Sequence, residues 1–135
     1  MIEIKTDEEL SVVFSLPQAA IYFRVDWSGP EREARARVNL LLQELGTAAK
    51  LYFMDCTTQP EPLLPKWLSL VDADTATRTR RLFDGGWGAL AFLRNGQVEE
   101  VIAYPMKRER EQVKETLSRY CLPSDQTPDT PKARG

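Results

Sequence analysis

The stretch Asp26-Trp27-Ser28-Gly29-Pro30-Glu31 sets a hydroxyl and a carboxylate three residues apart, between an apolar run and an amphipathic one. A serine nucleophile needs an adjacent base, and the usual base is histidine. The chain has no histidine at all. Every Ser-His or Cys-His pair is therefore excluded, together with the commonest zinc ligand. Glu31 is the nearest candidate base for Ser28. The same S-x-x-E spacing, however, is that of a capping box, in which Ser28 accepts from the third helical N–H and Glu31 reaches back to the Ser28 N–H. Such a cap is worth about 1 kcal/mol against alanine, and Glu31 also suits the positive end of a helix dipole. Capping accounts for both residues without invoking catalysis.

The two cysteines, Cys56 and Cys121, lie far apart and form no C-x-x-C. Neither a redox pair nor a thiolate metal site is signalled, and two buried thiols in a reducing compartment are expected. No cofactor and no metal are implied. The remaining candidates are aromatic and basic: Trp27, Trp67, Trp87 and Tyr104, and the run Arg78 to Arg81.

The chain has 135 residues and a formal net charge of −2. That is a one-domain length, and the charge gives no reason to expect nucleic acid or an anionic membrane as partner. No apolar run approaches the roughly 20 residues of a spanning helix. The acidic start, "MIEIKTDEEL", lacks the layout of a signal peptide. A cytoplasmic protein is expected.

Around the candidate residues the patterning predicts alternating elements. Met1 to Ile4 reads as a short edge strand, and Thr6 with Glu9 as a capping box opening a helix that carries Leu10, Val13 and Phe14 and ends before Pro17. Ala19 to Trp27 is apolar on both faces, as a central strand should be. Pro30 to Leu45 is a helix with Ala34, Val38, Leu41, Leu42 and Leu45 in one stripe. Its flanks hold the pairs Glu31/Arg35 and Glu33/Arg37, with Gly46 as the stop. Lys50 to Cys56 is a second buried strand. Helices are expected near Pro65 to Val71 and Thr75 to Phe83, and a turn at Asp84 to Gly88. Ala89 to Leu93 and Val98 to Tyr104 form a hairpin about Asn95-Gly96. A last helix, Met106 to Tyr120, would lay Met106, Val113 and Leu117 on the sheet.

A buried strand running into "VDWSGPE", with the "ALAFLRNGQVEEVIAY" hairpin and a final helix downstream, resembles the thioredoxin family. Thioredoxins carry Trp-Cys-Gly-Pro-Cys at that helix start. The resemblance implies an α/β fold: a three-layer α/β/α sandwich with a mixed sheet of four to five strands, a C-terminal antiparallel hairpin and a final helix. The domain would span residues 1–120, with an expanded helical segment at 57–86, and residues 121–135 would be a disordered tail.

Carried over by position, the family's redox equipment is missing. Ser28 stands for the attacking cysteine and Glu31 for the resolving one. Tyr22 stands for the buried acid of proton transfer, and Gly88 for the cis-proline. A hydroxyl cannot form a mixed disulfide, since the exchange requires a thiolate. Dithiol oxidoreductase activity is not expected. The resemblance also places Trp27, Ser28, Gly29, Pro30 and Glu31 beside Trp87, Gly88 and Tyr104 on the face that holds target peptides in the family. Clustered aromatics of that kind are typical protein-binding anchors. The expected function is a non-catalytic interaction module (adaptor, chaperone-like or inhibitor/immunity-type) with a protein partner. The alternative is a non-dithiol enzyme using Ser28 or Cys56. Trp67 is expected to fill the core rather than dock a partner, and Arg78 to Arg81 to be a solvated helix face.

Overall fold

The computed structural model describes residues 1–58, 61–83 and 85–123. Its central strand is β2 (Gln18–Arg24), in which Ala19, Ala20, Ile21, Tyr22 and Phe23 are all buried. Successive side chains point to opposite faces. Ala19, Ile21 and Phe23 therefore enter one core, and Ala20 and Tyr22 the other.

Four strands flank it: β1 (Ile2–Glu3), β3 (Tyr52–Asp55), β4 (Leu90–Arg94) and β5 (Gln97–Ile102), in the order β1-β3-β2-β4-β5. The first three in that order are parallel, while β4 and β5 run antiparallel. The first core lies under α1 (Asp7–Phe14), α3 (Leu64–Leu70) and a 3₁₀ turn at Arg80–Phe83; α4 (Ala73–Thr79) leads into that turn. The second core lies under α2 (Gly29–Leu45) and α5 (Arg110–Cys121). The result is a mixed five-stranded sheet with helices on both faces, the α/β/α architecture expected.

Local chemistry explains several elements directly. The Thr6 hydroxyl accepts from the Glu9 N–H at 3.1 Å and Glu9 accepts from the Thr6 N–H at 3.3 Å, completing the first capping box. Asn95 and Gly96 both have positive φ, 52° and 78°. That is the type I′ geometry matched to the twist of a two-residue hairpin. Trp67 is fully buried, with ring centroids 5.3, 5.6 and 5.5 Å from Phe14, Phe23 and Phe83 in edge-to-face arrangements. Its indole N–H donates to Thr79 Oγ1 at 2.9 Å. The helices of segment 57–86 thus cover one face of the sheet, and Trp67 is a core residue.

Four expectations need correction. β2 ends at Arg24 rather than Trp27, because the Asp26 N–H turns to Thr57 Oγ1, 2.9 Å away. The Glu33/Arg37 pair is not formed: Arg37 instead donates to the carbonyls of Pro105 and Arg108 at 2.8 and 2.9 Å. Those bonds hold residues 105–108 out of the last helix, which begins at Arg110 after a 3₁₀ turn at Pro105–Lys107. Met106 is accordingly 46% exposed and leaves the apolar stripe. Finally, Cys121 belongs to α5, its carbonyl accepts from the Lys50 N–H, and Leu122 is buried behind it. The rest of the expected tail, residues 124–135, lies outside the described residues.

Glu61, before α3, is a buried acid with an incomplete shell. Its Oε1 accepts from the Leu63 N–H at 3.2 Å, while Oε2 has no partner among the described residues. Burial, and secondarily the charge of Asp55, raises its pKa. A raised folded-state pKa on an acid favours folding at low pH, and that advantage drains as pH rises through the folded value. Glu61→Gln is therefore expected to raise stability by about 1 kcal/mol at neutral pH. The gain should vanish in acid, where both forms are neutral. Melting curves at pH 4 and pH 7 check this; an equal shift at both would refute it.

Candidate functional site

Helix α2 starts where β2 and β3 end, and its first turn organises the site. Ser28 is the N-cap, in extended conformation, and its Oγ accepts from the Glu31 N–H at 3.2 Å. The Ser28 hydroxyl proton goes to the Gly86 carbonyl at 2.6 Å, tying the helix start to the loop before β4. The reciprocal half of the expected capping box is absent. Glu31 turns inward instead and is fully buried.

There the Glu31 carboxylate accepts from the Tyr22 hydroxyl at 2.6 Å and from two Arg35 nitrogens at 2.6 and 3.0 Å. A fork-like guanidinium and a phenol offer three charge-assisted bonds, against the single backbone N–H a capping box supplies. Arg35 continues the chain outward to Asp26 at 3.6 Å, and Asp26 pairs with Arg24 at 2.9 Å. Burial, then the bond to Glu31, pushes the Tyr22 pKa far up, so its proton stays on oxygen. The bond to Glu31 likewise raises the Arg35 pKa.

Gly88 explains how a tyrosine fits where the sheet meets α2. Its φ is +76°, and a Cβ placed there would lie 2.6 Å from both Ala34 Cβ and the Tyr22 hydroxyl. No other residue type satisfies both the backbone and the space. Tyr22, Glu31 and Gly88 are thus one packed unit: the phenol takes the room, the carboxylate takes the hydroxyl proton, and the glycine leaves the gap. Gly86, with φ +70°, lies under Trp27, whose ring carbons would be 3.0–3.1 Å from an added Cβ.

Beyond this buried network the surface is aromatic. Trp27, Trp87, Tyr104 and Met106 are 57%, 46%, 43% and 46% exposed. Trp87 and Tyr104 meet edge to face with centroids 5.7 Å apart, and Lys107 Nζ stands 5.2 Å from the Tyr104 ring centre. Pro30 lines a small depression with Trp87, Tyr104 and Met106. The structure therefore brings Pro30, Trp87 and Tyr104 together, sets Trp27 over the adjoining Gly86, and buries Ser28, Glu31 and Gly88 beneath. Gly29 opens the helix. Met106 and Lys107 escaped the sequence reading because helical periodicity assigned Met106 to the core.

The thiols lie elsewhere. Cys56 belongs to the core on the opposite face of the sheet from Tyr22, and its N–H donates to the Arg24 carbonyl. Cys121 lies in the same core as Tyr22, at the far end of α5, and burial pushes its thiol up to about 12. No group of three or more His, Cys, Asp or Glu side chains gathers as a metal site would require among the described residues, and no helix there is long and apolar enough to cross a membrane.

No protein-family profile and no curated protein matches the chain by sequence. Solved structures do match its shape. A mutant thioredoxin from Halobacterium salinarum NRC-1 superposes with a TM-score of 0.54 at 17% identity, covering 90% of this chain and 91% of that one. The thioredoxin of Fasciola hepatica gives 0.51 at 16% identity over 89% and 99%. The oxidised thioredoxin of Plasmodium falciparum gives 0.53 at 10% over 90% and 99%. The fold is thioredoxin-like.

Proposed function

We propose that this chain is a redox-inactive, non-catalytic interaction module that binds a protein partner through the face carrying Trp27, Trp87 and Tyr104. The observation that carries the reading is the exposure of three large aromatics on loops that are held rigid underneath. The Ser28–Gly86 bond fixes the helix start against the loop 85–89, and the Tyr22–Glu31 bond fixes it against β2. Rigid, half-exposed Trp and Tyr side chains bury much area on binding and lose little entropy in doing so.

The same geometry supports the absence of chemistry. The Ser28 hydroxyl proton is committed to a carbonyl, not to a base, and the Glu31 carboxylate is turned away to Tyr22 and Arg35. Glu31 fills the position of a resolving thiol with a buried, fully engaged charge. Cys56 sits in the other core. Two buried thiols suit a reducing cytoplasm.

Trp27→Ala with Trp87→Ala tests the reading. The double variant is expected to keep the wild-type circular dichroism and melting curve within about 1 kcal/mol, since both rings are largely solvent-exposed. It should lose proteins that the wild type captures from native lysate. Identical capture by a folded double variant would remove the proposed face. Turnover in an insulin-reduction or hydrolase screen that disappears in Ser28→Ala or Cys56→Ser would replace the module by an enzyme.

A further inference from the structure

Trp87 and Tyr104 form a ridge between two depressions of unequal size. The larger, of about 440 Å³, has an apolar floor that includes Leu82, Ala89 and Val101, and its rim carries Arg78 and Arg81. The smaller, of about 200 Å³, lies on the other side of the ridge and is bordered by Lys107 and Glu33. Pockets that hold a small ligand run from about 300 to 1,000 Å³. The larger cleft thus admits a bulky side chain, and the smaller one only part of one.

The charges on the two rims are unequal to their local acids. Arg81 is exposed and makes no ion pair with any described residue. Arg78 is half-exposed; it forms an open i,i+4 pair with Asp74, its Nε 3.2 Å from the carboxylate, and donates to Thr75 Oγ1 at 3.1 Å. Lys107 lies over Tyr104 and makes no ion pair among the described residues. Among the described residues, Arg81 and Lys107 thus stand without an ion pair against one such acid in the lining of the two depressions, Glu33. Arginine's planar fork pairs with carboxylates and phosphates alike, so the spacing of the cations decides between the two.

We infer that this ridge takes an extended acidic peptide, with an apolar side chain in the larger cleft and carboxylates at Arg81 and Lys107 on either side. The inference rests on the protein-binding reading above and names the chemistry of its partner. A nucleic-acid strand is the poorer fit. Phosphates follow one another at short, regular intervals, whereas the cations here come in two separated groups with Glu33 between the helix start and Lys107, on a chain of net charge −2.

The test uses the whole chain and tryptophan fluorescence, since Trp87 stands in the site. The probes are a short peptide of Leu-Phe flanked by Asp on both sides, its Lys-flanked counterpart, and a short oligothymidylate. The Asp-flanked peptide is expected to bind most tightly, and to weaken about tenfold or more in Arg81→Glu and in high salt. Arg81→Gln should give an intermediate loss, which separates charge from any folding defect. Equal binding of the Asp and Lys peptides, tighter binding of the oligothymidylate, indifference to Arg81→Glu, or no binding would each overturn the inference. Equal binding of both peptides that is lost in Trp87→Ala, read by titration calorimetry because that variant lacks the reporter ring, would overturn it while leaving the protein-binding face intact.

Discussion

Gly88→Ala is expected to destabilise the fold by about 3 kcal/mol or more, although it adds a single methyl group. Two costs combine. A non-glycine residue at φ +76° carries about 1–2 kcal/mol of backbone strain. The added Cβ would also stand 2.6 Å from Ala34 Cβ and from the Tyr22 hydroxyl. Neither neighbour can retreat easily, since one belongs to α2 and the other is buried on β2 and bonded to Glu31. Overpacking of this kind typically costs about 1–3 kcal/mol. The measurement is urea or thermal unfolding of the single variant and of Gly88→Ala with Tyr22→Phe. Removing the hydroxyl relieves one of the two contacts, so the double variant should be more stable than the sum of the single losses. Strictly additive losses would show that Gly88 and Tyr22 do not share the space.

The contrast between Tyr22 and Asn95-Gly96 shows what was legible in the chain. Thr6 with Glu9, and Asn95 with Gly96, act on their own neighbours within four residues, so their motifs specify their geometry. The same holds for the apolar runs of β2, β4 and α2, and hence for the layered fold. Glu31 is different. S-x-x-E reads as a capping box, and Glu31/Arg35 reads as a surface pair, yet both readings leave out the decisive partner. That partner, Tyr22, lies nine residues earlier on a strand whose inward face is known only after the sheet is assembled. The four departures from the redox pattern looked like separate losses. Three of those positions, Tyr22, Glu31 and Gly88, pack as one unit, in which a large buried side chain, an acceptor for its proton and a missing side chain accommodate each other.

The proposed binding surface was half legible for a related reason. Trp27, Trp87 and Tyr104 could be placed together because the family resemblance assigns their positions to one face. Met106 and Lys107 could not, since Arg37 pulls the chain out of the helical register that the Met106, Val113 and Leu117 spacing suggests. The cleft below Arg81 was also hidden. It depends on a 3₁₀ turn at Arg80–Phe83 meeting the end of β5, two segments about twenty residues apart with no periodic signal between them.

Glu31→Ala is expected to cost about 3 kcal/mol, at the lower end of the range for breaking a buried ion pair. The carboxylate is fully buried and accepts three bonds, so its removal strands a phenol and a guanidinium together. Two features soften the loss. Tyr22 already has a second acceptor in the Glu31 backbone carbonyl, 3.1 Å away. Arg35 is 22% exposed and lies 3.6 Å from Asp26, to which it can turn. Glu31→Gln keeps the shape and an acceptor for Tyr22 and should cost less. In a double-mutant cycle, Glu31→Ala with Arg35→Met should show a coupling of about 1–3 kcal/mol. Coupling near zero would mean that Glu31 is held by its helix position alone. The cycle also bears on the binding face. Tyr22 and Glu31 sit buried beneath the turn that carries Trp27 and Pro30. Glu31→Gln should keep peptide binding in step with its folded fraction, whereas folded Glu31→Ala should bind more weakly because the helix start beneath Trp27 loosens. Undiminished binding by folded Glu31→Ala would show that the face does not depend on the network.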